Sequence, residues 1–127
     1  MKVLIIDDDE MLKNVWSIAL TKEGHQVFTA SAGRAGIEMA KKEMPNFILL
    51  DQIMPDMKGN EVLALLKQDP ATQNIPVAIA SNYSENELMQ DAIQKGAVDY
   101  ILKYQIDPQD LVNKIKSLAQ EEKPSTE

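Results

Sequence analysis

The sequence predicts an open, doubly wound α/β domain, in which helices cover both faces of a parallel sheet. Five short apolar runs alternate along the chain with longer amphipathic stretches, and no domain-sized linker interrupts the pattern. The first and third runs, 2–7 and 46–51, are continuously apolar between their ends, which is typical of strands buried on both faces. The length of 127 residues suits one domain with its own core, and we expect that domain to occupy residues 1–120.

The first two β-α units are predicted from apolar spacing and from residues that end helices. The strand at 2–7 precedes a helix over 9–23, where apolar residues recur at helical spacing until a glycine follows. An alternating strand over 25–30 then leads to a short helix over 35–43, which ends before Pro45. Strand and helix therefore alternate from the start of the chain.

The middle of the chain repeats this pattern twice. A strand over 46–51 is followed by a helix over 60–68, and the next strand, 76–80, begins at a proline, where a missing N–H is tolerated. Ser84 and an acid three residues later form a capping-box pattern. We therefore expect the fourth helix to begin there and to reach Lys95.

The last unit is a strand over 97–102 and a helix that opens at Asp107. Asp107 is a favourable N-cap residue, and Pro108 suits the first helical position because its missing N–H is not needed there. Residues 121–127 are polar and are expected to form a flexible C-terminal tail. The five units together predict a parallel sheet joined by right-handed crossovers.

The composition excludes several classes of function. The chain has no cysteine, which rules out disulfides, thiolate metal sites and cysteine nucleophiles. A net charge of -7 and a pI near 4.7 disfavour direct binding of nucleic acid. No apolar run is long enough to cross a bilayer or to form a signal peptide, so we expect a cytoplasmic protein without a membrane partner.

Chemistry-bearing residues follow several of the predicted strands. Asp7 and Asp8 follow the first strand, Asp51 ends the third, Ser81 follows the fourth and Lys103 follows the fifth. Because ligands of such sheets bind beyond the carboxyl ends of the strands, these side chains should share one edge. Two carboxylates about 4 Å apart repel by about 4 kcal/mol at an effective dielectric of 20, so the acids need a cation among them. All-oxygen ligands favour Mg²⁺, Mn²⁺ or Ca²⁺.

These residues resemble a known family. The acids after the first strand, the D-x-x-M-P-D-M-x-G stretch over 51–59, Ser81 and Lys103 are similar to the receiver domain of two-component response regulators, and the likeness covers about residues 2–118. The resemblance implies a flavodoxin-like sheet with strand order 2-1-3-4-5. It also implies a sensor histidine kinase or a phosphotransfer protein as partner, and a monomer or a phosphorylation-dependent dimer.

The resemblance assigns a role to each residue of this set. Asp51 would be the phosphoacceptor, while Ser81 and Lys103 would contact the phosphoryl oxygens during catalysis. Mg²⁺, or Mn²⁺ in its place, would be held by oxygen ligands. The implied metal ligands are Asp7, Asp8, Asp51 and the backbone carbonyl of Ile53.

A conformational switch also follows from the resemblance. When Ser81 moves toward the phosphoryl group, Tyr100 would turn inward to fill the space that Ser81 leaves. The surface formed by the fourth helix, the fifth strand and the fifth helix would then change for partner binding. Such a switch is a two-state element biased by a covalent charge.

The sequence departs from the family pattern at three positions. Tyr104 stands where the family usually has a proline after the lysine, and a cis bond before tyrosine would cost about 2.5–4 kcal/mol. We therefore expect a trans bond and a differently shaped loop. Asn82 replaces a commonly small residue, and Lys58 replaces a common acid.

Three residues beside the reacting groups are candidates for tuning the lifetime of the aspartyl phosphate. Ile53 and Tyr83 lie two residues beyond the acceptor and Ser81 respectively, where family members control the access of water. We expect an aliphatic and an aromatic residue at these positions to slow hydrolysis. Asn82 could hinder Ser81 or bond to the phosphoryl group.

Two other classes of function remain as alternatives. A Mg²⁺-dependent phosphohydrolase with an aspartyl nucleophile is suggested by the D-x-D spacing of Asp7 and Asp9, although Met11 departs from that pattern and the chain is too short for a cap domain. A binding module is the other alternative, either an FMN protein or a phosphorylation-independent pseudo-receiver. Four acids after the first strand are unfavourable for an FMN phosphate, and a pseudo-receiver would normally lack an essential group that is present in this chain.

Overall fold

The structure is a computed structural model that describes the backbone of residues 1–121 and the side chains of residues 1–119. The polar tail predicted for 121–127 lies outside the described residues, apart from the backbone of Glu121. Strands and helices alternate throughout the described part of the chain. Their bounds are β1 Lys2–Ile6, α1 Glu10–Lys22, β2 Gln26–Ala30, α2 Gly33–Glu43, β3 Phe47–Asp51, α3 Gly59–Gln68, β4 Val77–Ser81, α4 Asn86–Gln94, β5 Asp99–Leu102 and α5 Pro108–Glu121, with a 3₁₀ turn at Lys103–Gln105.

The five strands form one parallel sheet in the order β2-β1-β3-β4-β5. This confirms the predicted doubly wound α/β fold and its 2-1-3-4-5 strand order. The order reverses between β1 and β3, and this is where ligands of such sheets bind. The register aligns the strand ends: Asp51 pairs with Ala80, and Ser81 pairs with Leu102.

Both faces of the sheet are covered by helices, which explains why the central strands are apolar except at their ends. Leu4 and Ile6 of β1 pack into a core beneath α2, α3 and α4. Val3 and Ile5, which point the other way, pack with Trp16 and the apolar residues of α1 and α5. All five residues of β3 and of β4 are buried. The sheet is therefore a rigid platform for the residues that follow its strands.

Two helix starts differ from the prediction. The second helix begins at Gly33, two residues before the expected start, because the Asp56 carboxylate accepts hydrogen bonds from the amides of Gly33 (2.8 Å) and Arg34 (3.0 Å). The capping box expected at Ser84 is wrong: α4 begins at Asn86, and no side chain caps it. Because the helix starts two residues after Ser84, this serine stands outside the cap position.

The predicted start of the last helix is confirmed. Asp107 accepts a hydrogen bond from the amide of Asp110 at 2.8 Å, which is the N-cap geometry that its sequence position indicated. Within residues 1–121, none of the helices combines the length and the hydrophobicity needed to pass through a bilayer.

Candidate functional site

Three carboxylates meet at the carboxyl ends of β1 and β3. One oxygen from each of Asp7, Asp8 and Asp51 lies within 4.8 Å of the other two. Asp7 and Asp51 are buried, whereas Asp8 is exposed. The grouping arises because β1 and β3 are hydrogen-bonded neighbours in which Ile6 pairs with Leu50, so that Asp7 and Asp51 come next after them at the same level. The structure thus brings together the three acids that the sequence predicted would share an edge.

Lys103 reaches these acids from the end of β5. Its Nζ lies 2.7 Å from Asp7 Oδ2 and 2.9 Å from Asp51 Oδ1, and its side chain is only 7% exposed. One ammonium therefore faces two buried carboxylates, with the third carboxylate at the opening. We refer to Asp7, Asp8, Asp51 and Lys103 as the acidic pocket.

The two oxygens of Asp7 have different surroundings. Oδ1 accepts a hydrogen bond of 2.9 Å from the amide of Asp9, which fixes the orientation of the carboxylate. Oδ2 is buried, and its one partner among the described residues is the Lys103 ammonium at 2.7 Å. A buried oxygen of this kind has a lone pair available for a ligand.

The neighbouring acids serve different purposes. The carboxylate of Asp9 accepts a hydrogen bond of 3.1 Å from the amide of Leu12 and so caps α1. Asp9 does not join the metal-competent group formed by Asp7, Asp8 and Asp51. Consecutive aspartates after one strand are thus divided between the pocket and the helix.

The loop after β3 closes tightly on the acceptor strand. The amide of Gly59 donates a hydrogen bond of 2.7 Å to the carbonyl of Gln52. A Cβ at Gly59 would overlap the carbonyl oxygen of Asp51, so only glycine permits this approach. Ile53 lies in this loop with its side chain 43% exposed, next to the pocket in sequence.

Ser81 lies at the buried end of β4, on the strand next to Asp51. Its Oγ accepts a hydrogen bond of 2.9 Å from the amide of Tyr83. Asn82 and Tyr83 are both exposed in the loop that leads to α4. The hydroxyl is therefore held by its own loop, on the strand adjacent to the acceptor.

This arrangement of strands and side chains corresponds to one known family. The sequence model of the response regulator receiver domain matches residues 3–116. The chain belongs to this family. Receiver domains are signalling modules of two-component systems, and this receiver retains the acids, the hydroxyl and the lysine that its sequence predicted.

The individual relatives agree with the family assignment. Response regulator PleD of Caulobacter vibrioides is 34% identical over 92% of this chain, which covers 26% of that protein. Sporulation initiation phosphotransferase F of Bacillus subtilis is 34% identical over 80% of this chain and 81% of its own length. A CheY-like receiver domain protein from Methanospirillum hungatei has a crystal structure that superposes with a TM-score of 0.89, at 29% identity over 95% of this chain and 94% of the other. The chain thus spans about a quarter of PleD.

Tyr100 connects to Ser81 through the loop of the receiver. Its hydroxyl donates a hydrogen bond of 3.1 Å to the carbonyl of Tyr83, whose amide is bound by Ser81. The ring is half-buried against the core beneath α4. The sequence paired Ser81 with Tyr100 but could not show that the backbone of one residue, Tyr83, joins them, because a backbone contact leaves no trace in residue type.

The predicted trans bond after Lys103 is confirmed. The described residues contain no cis peptide, so the bond between Lys103 and Tyr104 is trans, and residues Lys103–Gln105 form a 3₁₀ turn. Tyr104 is exposed. The lysine nevertheless reaches Asp7 and Asp51, so the loss of proline does not displace the ammonium.

The electrostatics of the receiver favour an added cation. Burial raises the pKa of Asp51 to about 6; Lys103 opposes the rise, while Asp7 and Asp8 add to it. Burial by itself lowers the pKa of Lys103. The contacts with Asp7 and Asp51 outweigh burial, so the pKa of Lys103 is raised overall. Three carboxylates and one ammonium leave an excess of negative charge that a divalent ion would offset.

Proposed function

We propose that this receiver accepts a phosphoryl group on Asp51 in a Mg²⁺-dependent reaction and that phosphorylation changes the surface formed by α4, β5 and α5. The observation that carries the proposal is the acidic pocket itself. A buried carboxylate, a buried ammonium and two further acids at one sheet edge are the groups needed to receive a phosphoryl group.

The donor set fits a small divalent cation. Asp7, Asp8 and Asp51 offer oxygens within reach of one ion, and the buried Oδ2 of Asp7 has Lys103 as its one partner among the described residues. Hard oxygen ligands suit Mg²⁺, with Mn²⁺ as a substitute, and the carbonyl of Ile53 is proposed as a further ligand. When bound, the ion supplies positive charge that offsets the repulsion between the carboxylates and a phosphoryl group.

The chain's own residues account for the transfer step. A carboxylate oxygen of Asp51 attacks phosphorus, the O–P bond forms, and the bond from phosphorus to the donor's leaving group breaks with its electron pair. Lys103 offsets the charge on the phosphoryl oxygens, and the hydroxyl of Ser81 donates a hydrogen bond to one of them. With a pKa of about 6, Asp51 is mostly the nucleophilic carboxylate above neutral pH.

The partner that supplies the phosphoryl group is proposed from the family. A phosphohistidine on a sensor histidine kinase or on a phosphotransfer protein is the donor, and the neutral imidazole is the leaving group. The reaction would take place in the cytoplasm. A relative named as a response regulator and another named as a phosphotransferase support this class of partner.

After the transfer, Ser81 and Tyr100 are the proposed switch. Ser81 would exchange its bond with the Tyr83 amide for one with the phosphoryl group, and the loop that Tyr100 holds through the Tyr83 carbonyl would move with it. The receiver would also promote the loss of its own phosphoryl group. Ile53, Asn82 and Tyr83 are proposed to set that rate, because they lie exposed beside the reacting groups.

The phosphohydrolase alternative receives no support from the geometry. It needs Asp9 as the second acid of a D-x-D pair, whereas the Asp9 carboxylate caps α1. The pseudo-receiver alternative predicts a missing group, and the acidic pocket is complete.

Intact mass measurement tests the proposal. The protein is incubated with Mg²⁺ and acetyl phosphate, alongside Asp51→Asn and a sample containing EDTA. We expect a single phosphate adduct on the wild type with Mg²⁺ and none in the other two samples. Continuous phosphate release without an adduct would indicate a phosphohydrolase, and no reaction would indicate a pseudo-receiver.

A further inference from the structure

A chain of side-chain hydrogen bonds begins at the residue after Asp51. Gln52 is completely buried, and both ends of its amide bind Asn60, the second residue of α3. Its Nε2 donates to Asn60 Oδ1 at 3.1 Å, and its Oε1 accepts from the Asn60 amide at 3.0 Å. The buried amide group of Gln52 is thus paired with Asn60 at both its oxygen and its nitrogen.

This series of hydrogen bonds continues from α3 to α4. The Nδ2 of Asn60 donates to Asp91 Oδ2 at 2.7 Å and lies 3.4 Å from the carbonyl of Leu88. Lys95 in turn binds both oxygens of Asp91, at 2.9 and 2.8 Å. One side chain of α3 therefore contacts two successive turns of α4.

These bonds matter because α4 has little else that fastens it to the fold. Of its nine residues only Ala92 is buried, whereas α3 buries five of ten. Apolar burial normally supplies most of the attachment of a helix. The polar contacts through Asn60 therefore carry an unusually large share of the attachment of α4.

The other end of this series of hydrogen bonds lies directly against the proposed phosphoacceptor, Asp51. Gln52 follows Asp51, and Gly59 packs on the Asp51 carbonyl while its amide binds the carbonyl of Gln52 at 2.7 Å. Because this packing is close, a shift of the peptide between Asp51 and Gln52 would also move the start of α3.

We propose that Gln52, Asn60 and Asp91 form a tether that holds α4 in its unphosphorylated position and opposes phosphorylation of Asp51. This inference rests on the proposed function. The loop over 82–85 connects Ser81 to α4, so movement of Ser81 toward the phosphoryl group draws the start of α4 away from Asn60. Asn60 and Asp91 are positioning residues in this account, because neither contacts the reacting atoms.

Thermodynamic linkage determines the sign of the effect. A contact that is stronger in the unphosphorylated arrangement disfavours the phosphorylated one, and removing it has the opposite effect. Acetyl phosphate reacts with the arrangement that this contact disfavours. Breaking the contact between Asn60 and Asp91 therefore raises the population of that arrangement, and with it the rate of adduct formation, and it loosens α4. The expected gain is about three- to tenfold, the size of one ordinary net hydrogen bond, because the Asp91 carboxylate is partly exposed to solvent.

Two substitutions at Asp91 distinguish the effect of losing the hydrogen bond to Asn60 from the effect of losing the negative charge. Asp91→Ala removes the acceptor for Asn60, while Asp91→Asn keeps an oxygen acceptor and removes the same charge. Lys95→Ala removes the ion pair and leaves the Asn60 contact in place. The side chain of Asp91 is 42% exposed, so all three variants should fold.

The experiment measures the rate of adduct formation with acetyl phosphate and Mg²⁺, together with hydrogen exchange of the α4 amides in the unmodified protein. We expect Asp91→Ala alone to react faster and to exchange faster in α4, with Asp91→Asn and Lys95→Ala within about twofold of the wild type. Equal rates for all proteins, or a faster reaction of Asp91→Asn equal to that of Asp91→Ala, would overturn the tether and leave the proposed function intact. Absence of any wild-type adduct would overturn the proposed function and the tether with it.

Discussion

Two regions at the carboxyl edge of the sheet are built in contrasting ways. The acidic pocket stands on buried strands, and its lysine and two of its acids are nearly inaccessible to solvent. The β4–α4 side, by which we mean residues 82–94 together with Tyr100, is mostly exposed and buries only Ala92 in its helix. Weakly buried segments open locally at low free-energy cost. Under the proposed function, the chemistry would take place in the rigid region and the conformational response in the loosely held one.

The largest expected effect is on the rigid region. Lys103→Met leaves Asp7 and Asp51 buried without their cation, so we expect the free energy of unfolding without metal to fall by about 3–5 kcal/mol at pH 7.5. Urea denaturation measures this change. Lys114→Met is the matched control, because Lys114 forms a half-exposed ion pair with Asp99 whose loss should cost less than about 1 kcal/mol. Equal losses in the two variants would contradict a special role for burial in the pocket.

Asp51→Asn should stabilise the metal-free protein. The pKa of Asp51 is about 6 in the folded protein, against an ordinary value of 3.8, so the folded form holds the proton to higher pH and stability falls as pH rises from about 4 to 6. Above pH 7 the substitution should add on the order of 2 kcal/mol. Thermal unfolding at pH 4 and pH 7.5 checks this, with the gain expected only at the higher pH. A gain of equal size at both values would show that ionisation is not its cause.

The lifetime of the aspartyl phosphate tests whether Ile53 and Tyr83, which lie between the two regions in sequence or at their edge, control its hydrolysis. Ile53→Asn and Tyr83→Glu place polar groups at two exposed positions that lie two residues after Asp51 and Ser81. Because these groups can orient water toward the acyl phosphate, we expect hydrolysis several-fold faster than in the wild type. A dephosphorylation time course after removal of the donor measures it, with Leu65→Asn on the distant part of α3 as control. Unchanged lifetimes would remove these residues from the site.

The smallest effect is expected on the β4–α4 side. Tyr100→Phe removes the hydroxyl that binds the Tyr83 carbonyl, an exposed hydrogen bond whose loss should cost about 0.5–1 kcal/mol. The cost should be local, seen as faster hydrogen exchange over residues 82–85 with α1 unchanged. Faster exchange in both places would mean that the two regions are not mechanically distinct.

The sequence was most informative where local chemistry decides the structure. Apolar runs predicted all five strands, and Asp107 with Pro108 predicted the start of α5, because an N-cap is read within four residues. The acids Asp7, Asp8 and Asp51 could be grouped because parallel strands share an edge.

Prediction failed where distant residues decide the structure. The start of α2 depends on Asp56, which is more than twenty residues away from Gly33, and nothing near Gly33 indicates that cap. The capping box at Ser84 was wrong because the loop carrying Asn82 and Tyr83 is longer than its pattern suggested. The contacts of Asn60 with Gln52 and Asp91 also join separate elements, so only the folded chain shows them.

Hydrogen exchange with and without beryllofluoride tests the central claim most directly, because this anion mimics a phosphoryl group on an aspartate. With Mg²⁺ present, we predict that exchange changes most over residues 82–94 and little in α1 and α2, and that Asp51→Asn shows no change anywhere. A response restricted to the pocket with residues 82–94 unaltered would contradict the division between a rigid chemical region and a mobile responding one. A response of Asp51→Asn equal to that of the wild type would contradict Asp51 as the acceptor.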